Sequence, residues 1–264
     1  MRKLSVLLLS VFPGIASAAW ETNMPRGVTP TSEIAYDIHM LIFYITVVIG
    51  ILVFGAMLYS IIYHRKSVGH KPAKFHESTK VEIIWTVIPF LILVGMAIPA
   101  TNALIMMEDT RDSEITLKVT GYQWMWQYEY LEDNISFFSK IDTKSNTARR
   151  LNSGVDVTKV DNYLRDVDNY VVLPTDTKVR VLLTASDVIH AWWVPELGGK
   201  KDAIPGYVNE LWVDIQEPGI YRGQCAELCG KDHGFMPIVV KAVPKQEYYK
   251  WVSIQKTNKV AENK

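Results

Sequence analysis

The chain has 264 residues, 28 basic against 28 acidic side chains, 48% hydrophobic residues and two cysteines. That length holds one folded domain plus membrane elements, and the balanced charge gives no reason to expect a nucleic-acid partner. No internal repeat, Gly-rich phosphate loop or Cys-x-x-Cys-His haem-attachment signature is present.

The N-terminus opens with Met1-Arg-Lys3, an apolar run over 4–11 and Ala16-Ser-Ala18. A basic start, a short apolar core and small residues at a cleavage position predict a signal peptide over 1–18, with the mature chain beginning at Ala19. Pro13 and Gly14 interrupt the stretch, which is too short to cross a bilayer. A periplasmic segment is expected over 19–37. Residues 38–63 and 83–107 then carry no formally charged side chain, so each run is long enough to span the hydrocarbon core. Pro89 and Pro99 fall in the second run, where neighbouring helices can satisfy the freed carbonyls. Over 64–80, between the runs, stand Arg65, Lys66, Lys71, Lys74 and Lys80 against Glu77 alone. The excess of positive charge makes 64–80 cytoplasmic, so both ends of the mature chain face outward.

From residue 108 onward there are 20 basic and 23 acidic residues, a net of −3. Ile115, Leu117 and Val119 alternate with Thr116, Lys118 and Thr120, the period of a half-buried strand. The β-favouring aromatics of 122–130 are read as its continuation. Trp124 and Trp126 are expected on opposite sides, Trp126 in the core. Further strands are predicted near 170–173, 178–185, 209–215, 220–224 and 237–243, separated by Pro174, Pro205-Gly206 and Pro218-Gly219. Many short strands between turn residues predict a sandwich or barrel. A last helix is expected from Pro244 through Tyr248 and Trp251. The polar stretch 139–168 reads as a mobile or irregular excursion. Glu129, Glu132, Asp133 and Asp187 lie close in sequence to the aromatic strand and to His190, which suits an acidic patch for a basic partner.

The most informative segment is Gly223-Gln-Cys-Ala-Glu-Leu-Cys-Gly-Lys-Asp-His-Gly-Phe-Met236. Two thiolates, an imidazole and a thioether form a soft donor set that suits copper held for electron transfer, not magnesium, calcium or hydrolytic zinc. Two cysteines four apart can bridge a pair of copper ions, each of which then needs its own histidine. His190 supplies the second; alone in an apolar strand it would read as a core residue. A disulfide between Cys225 and Cys229 is the alternative, and it leaves His233 and Met236 without a purpose.

This loop, the aromatic strand Gly121-Tyr-Gln-Trp-Met-Trp-Gln-Tyr-Glu-Tyr130, the stretch from Asp187 to Pro195, Asp202-Ala-Ile-Pro-Gly206 and the second apolar run from Val81-Glu-Ile-Ile-Trp85 resemble subunit II of bacterial cytochrome c oxidases, over nearly the whole chain. Tyr122 and Met125 depart from the family, where His and Tyr are frequent. The resemblance implies a membrane-anchored, mainly β chain: a two-helix transmembrane hairpin over 38–107, then a cupredoxin-like Greek-key β-barrel over 108–264 in the periplasm, anchored to the bacterial inner membrane. It implies a binuclear copper centre bridged by Cys225 and Cys229, with His190 and His233 as terminal imidazoles, Met236 as a weak axial ligand and the Glu227 carbonyl as a further donor. The Glu227 carboxylate is implied to reach a magnesium ion shared with subunit I. Trp124 is implied as the point where an electron arrives from cytochrome c and Glu82 as the mouth of the K proton pathway, and the charge pattern adds Glu129 and Asp187 as acids expected to dock that donor. The implied partners are subunit I with its haem a, further oxidase subunits, cytochrome c and lipid. In this reading the assembled oxidase reduces oxygen to water coupled to proton translocation, and this chain alone does not. A copper-free quinol oxidase subunit II and a membrane-anchored copper carrier are the other readings.

Overall fold

The computed structural model describes residues 23–262 other than 70, 72, 73 and 75; the expected signal peptide lies outside them. Two long helices come first, α1 (Pro30–Tyr63) and α2 (Thr79–Met107). At 1.5 Å per residue the 34 residues of α1 make about 51 Å, well beyond a hydrocarbon core of roughly 30 Å. The extra length lies at the N-terminus, where α1 begins eight residues before the uncharged run that marked it in the sequence. The signal there is a capping box: the Thr29 side chain accepts from the Ser32 N–H, the Ser32 hydroxyl oxygen accepts from the Thr29 N–H, and Pro30 takes the first helical position. Thr29, Thr31 and Ser32 are buried, and the Thr29 hydroxyl donates to the Leu197 carbonyl at 3.1 Å. This first turn therefore belongs to the domain that follows. Farther along both helices the surface is apolar and uncovered, as at Ile51, Leu52, Trp85 and Ile98. Such a surface suits lipid or another apolar chain and not water.

The remainder is a sandwich of two five-stranded sheets. In the first, β3 (Ile135–Ser139), β2 (Met125–Tyr130), β1 (Ile115–Tyr122), β5 (Lys178–Ala185) and β8 (Asn209–Asp214) lie side by side. In the second the order is β4 (Val171–Pro174), β10 (Pro237–Val243), β9 (Gly219–Cys225), β6 (His190–Trp193) and β7 (Lys200–Ala203). Each sheet has one parallel pair, β1 with β5 and β4 with β10; the crossings that produce them give the cupredoxin-like Greek-key arrangement. Alternation puts Leu117, Val119, Val181, Leu183, Trp126 and Tyr128 from one sheet against Leu173, Trp192, Ile238 and Val240 from the other. Tyr130 joins the layers, its hydroxyl donating to the Val172 carbonyl at 2.8 Å and accepting from the Val172 N–H at 3.0 Å. The last helix, α4 (Lys245–Glu262), seats Tyr248 and Trp251 against Tyr130.

Several expectations change. The aromatic run is a hairpin and not one strand: Tyr122 pairs with Met125 across the two residues Gln123 and Trp124. Nothing in Gln-Trp announces a tight turn, which is normally marked by Asn or Gly. Trp124 and Trp126 do part company, but for that reason; two residues apart on one strand they would share a face. Strands β3 and β7 were not foreseen. The stretch 139–168 is not without regular structure: the helix α3 (Thr143–Ala148) and a 3-10 turn, Val157–Lys159, lie in it, and an Ile141–Val167 bridge closes its base. Asp142 caps α3 by accepting from the Ser145 N–H at 3.0 Å, and the fully buried Ser145 hydroxyl accepts from the Leu164 N–H at 3.1 Å. Polar residues form this lobe by bonding one another, a pattern that hydrophobic periodicity cannot register.

Further contacts fix the sandwich to the helices and to the segment that leads into them. The Val28 N–H donates to the Glu196 carbonyl, the Trp212 indole N–H to the Met106 carbonyl at 3.1 Å, and Lys201 pairs with Glu108 at 2.6 Å.

Candidate metal centre

The ligand-type residues collect at one end of the second sheet. His190 opens β6, Cys225 closes β9, and Met236 directly precedes β10, where its carbonyl accepts from the Cys225 N–H at 3.1 Å. The loop between the two strands carries Glu227, Cys229 and a one-turn 3-10 helix, His233–Phe235. Strand pairing thus brings together His190, Cys225 and Met236, and the loop folds Cys229 and His233 over them.

Cys225 and Cys229 are free, with sulfurs 3.8 Å apart, whereas a disulfide holds its sulfurs at about 2.05 Å. Each sulfur faces one imidazole: His190 Nδ1 stands 3.9 Å from Cys225 Sγ, and His233 Nδ1 stands 3.5 Å from Cys229 Sγ. The Glu227 carbonyl oxygen lies 3.4 Å from Cys225 Sγ while its residue is exposed. The donor atoms of His190, Cys225 and Cys229 all lie within 4.8 Å of one another. His190, both cysteines and Met236 are buried. Burial pushes the Cys225 thiol up, but the His190 ring and the adjoining backbone outweigh it and bring the group down to about 7. Burial, with the neighbouring Cys225 charge, holds Cys229 up at about 12. Two thiolates here repel each other, and a bound cation is what would let both lose their protons.

His190 is the most tightly specified donor. Its Nε2 lies 2.9 Å from Asp187 Oδ1; a proton shared there leaves Nδ1 free toward the sulfur, the carboxylate–histidine arrangement that orients metal ligands. Trp126 stands edge-on to the ring at 5.8 Å between centroids. Gly121 in β1 makes the closeness possible, since a Cβ there would sit 2.7 Å from His190 Cδ2. The β1–β2 turn ties this corner to the loop. The Gln123 N–H donates to Asp187 Oδ2 at 2.7 Å, and its side-chain amide donates to the Cys229 carbonyl at 2.8 Å. Trp124, partly exposed, lies over the loop, and a Cβ at Gly230 would be 3.1 Å from its ring; Gly230 also holds φ +122°, in the glycine-favouring region. The Lys231 ammonium stands 5.6 Å from the centre of that ring.

The remaining sequence-derived residues lie elsewhere or are already engaged. Glu129 is paired with Lys118 at 2.7 Å, and the Asp187 carboxylate accepts three hydrogen bonds. Glu82 is exposed in the first turn of α2, outside the cluster. Residues the sequence reading passed over are Gly121 and Gln123. A glycine inside a strand pattern is a signal of close backbone approach and could have found Gly121; Gln123 gives no such signal.

Comparison with known proteins gives a consistent result. The family model described as "Cytochrome C oxidase subunit II, periplasmic domain" matches residues 115–243, and "Cytochrome C oxidase subunit II, transmembrane domain" matches 17–102. The chain is 40% identical over 246 residues to a probable cytochrome c oxidase subunit 2 of Rickettsia prowazekii, covering 93% of this chain and 75% of that one. It is 39% identical to the corresponding protein of Rickettsia bellii, covering 92% and 87%. Among solved structures, the periplasmic domain of subunit II of cytochrome oxidase (CoxB) of Bradyrhizobium japonicum is 37% identical, covering 56% of this chain and 98% of that one, with a TM-score of 0.49.

Proposed function

The chain belongs to the cytochrome c oxidase subunit II family, part of a haem-copper terminal oxidase, and on that premise we propose that its cluster is a binuclear copper centre for electron transfer. Cys225 and Cys229 would supply the thiolates for the two ions, His190 and His233 an imidazole for each, and Met236 and the Glu227 carbonyl would complete the set. One observation carries this reading: two free sulfurs 3.8 Å apart, each with its own imidazole nitrogen. A single blue-copper site would leave one of the sulfurs unused, and a zinc ion held by both sulfurs and both imidazoles would leave the Met236 thioether and the Glu227 carbonyl without a role. Bound there, two copper ions would supply a one-electron relay from cytochrome c to haem a of subunit I, with little rearrangement because the charge is shared.

The chain's own residues serve that relay by holding still. Asp187 orients the His190 ring, Gln123 fastens the loop through the Cys229 carbonyl, and the buried sulfurs are kept from water. Trp124 takes the place where the electron arrives, since it covers the loop and keeps an exposed edge. Glu129 guides a cationic donor, and Asp187 contributes charge to the same face while serving His190. The Glu227 carboxylate, exposed beside the site, would help hold a magnesium ion shared with subunit I. At the other end Glu82 opens the K proton pathway, next to the basic 64–80 connection in the cytoplasm. Anchoring is in the bacterial inner membrane, with both mature termini and the domain from 108 onward in the periplasm.

The test is electron paramagnetic resonance of the assembled oxidase, with metal analysis of the same sample. The expected result is a mixed-valence signal with the unpaired electron shared over two copper nuclei. A single-copper spectrum at full metal loading would overturn the reading.

A further inference from the structure

The lobe between β3 and β4 touches the ligand loop on both of its arms. Asp166 pairs at 3.6 Å with Arg222, which stands in β9 three residues ahead of Cys225. At the end of α3, Arg149 reaches the other arm. Its Nη1 and Nη2 each lie 3.3 Å from one oxygen of the Asp232 carboxylate, its guanidinium carbon lies 4.2 Å from the centre of the Phe235 ring, and its Nε donates to Asn146 Oδ1 at 2.9 Å. Asp232 immediately precedes His233, and Phe235 immediately precedes Met236.

We propose that Arg149 is a positioning residue for the metal centre: through Asp232 and Phe235 it fixes the turn that carries His233 and Met236, making the lobe a brace for the ligand loop. The last backbone bond from the loop to a strand is the Ala226 N–H to the Ala191 carbonyl at 2.9 Å; beyond it the backbone bonds in the turn are short-range ones, His233 to Gly230 and Phe235 to Asp232. A two-pronged, partly buried guanidinium that also covers an aromatic face restrains direction as well as distance. Side chains of Arg149 and Asp232 are 22% and 26% exposed, so water competes less than at an open surface pair. Lysine could keep the charge but not the planar fork or the stacking. The inference depends on the copper reading only for what His233 and Met236 hold.

The test uses Arg149→Ala and Arg149→Lys in the assembled oxidase, and in the same full chain after copper removal. Hydrogen exchange is followed for residues 229–236, together with the rate of copper loss to a chelator and the copper hyperfine pattern. Arg149→Ala is expected to speed loop exchange about tenfold with or without metal, and to speed copper loss and alter the hyperfine pattern, while β1 and β5 keep parental protection. Arg149→Lys should recover only part of each effect, and carries the test if the alanine variant does not assemble. Parental loop exchange in the Lys and Ala variants, full recovery by lysine, or an increase spread equally over β1 and β5 would overturn the proposal. If the parent lacks a two-copper signal, the functional reading fails, and loop exchange in the metal-free chain still decides the role of Arg149.

Discussion

The two histidines of the cluster are held by different means. His190 begins a strand, is fully buried, packs against Gly121 and Trp126, and has its far nitrogen fixed by Asp187. His233 lies in a one-turn helix on a loop, is half-buried, and is steadied by neighbours that Arg149 grips from another part of the chain. One side of the site is thus set by the core, where displacement means repacking. The other is set by a polar clamp, where displacement means breaking a few charged contacts. A close-packed interior resists even a methyl group, so changes to the two sides should differ in kind.

Cys225→Ser or Cys229→Ser erases the distinction, because each sulfur sits between the two sides. Either variant is expected to lose the two-copper spectrum and all cytochrome c oxidation; a parental spectrum in either would remove the basis of the site. Gly121→Ala acts on the core side alone. Its new Cβ would meet the His190 ring at 2.7 Å, so overpacking should cost about 1–3 kcal/mol in denaturant unfolding and change the spectrum. Unchanged stability together with an unchanged spectrum would show that packing does not set His190.

Asp187→Asn keeps the shape and removes the charge opposite His190 Nε2. Copper retention should fall roughly 10–100-fold, measured by chelator competition, with folding little altered. An equal loss on Glu129→Gln would mean that general acidity, and not the bond to His190, is responsible. Trp124→Phe should leave both sides and the metal content intact while slowing reduction by cytochrome c severalfold in stopped-flow. Reduction at the parental rate would make Trp124 a cover for the loop only. The smallest effect is expected from Glu129→Lys, whose carboxylate is already paired with Lys118. Donor association should weaken at low salt, and the difference should fade near 0.1 M, where screening acts over about 10 Å. A loss independent of salt would point to damage in β2.

The amino-acid sequence by itself determined the two apolar helices, five of the ten strands to within a residue or two, and which donor-type side chains stand close together in the loop. Those features are local: a run without charge, an alternation of two, and Cys225, Cys229, His233 and Met236 within twelve positions. His190 was legible because a two-cysteine site left one imidazole missing. Only the tertiary structure decided what holds these donors. Gln123 lies 64 residues from Asp187 and 106 from Cys229, and Arg149 lies 83 from Asp232. No spacing announces such pairs, since they exist only once β1 has paired with β5 and the lobe has closed on the loop. The turn at Gln123 and Trp124, the early start of α1 in the domain and the order of the 139–168 lobe were hidden for the same reason. Ligand chemistry is written in neighbouring residues, whereas the rigidity that a redox centre needs comes from contacts between parts of the chain that only folding brings together.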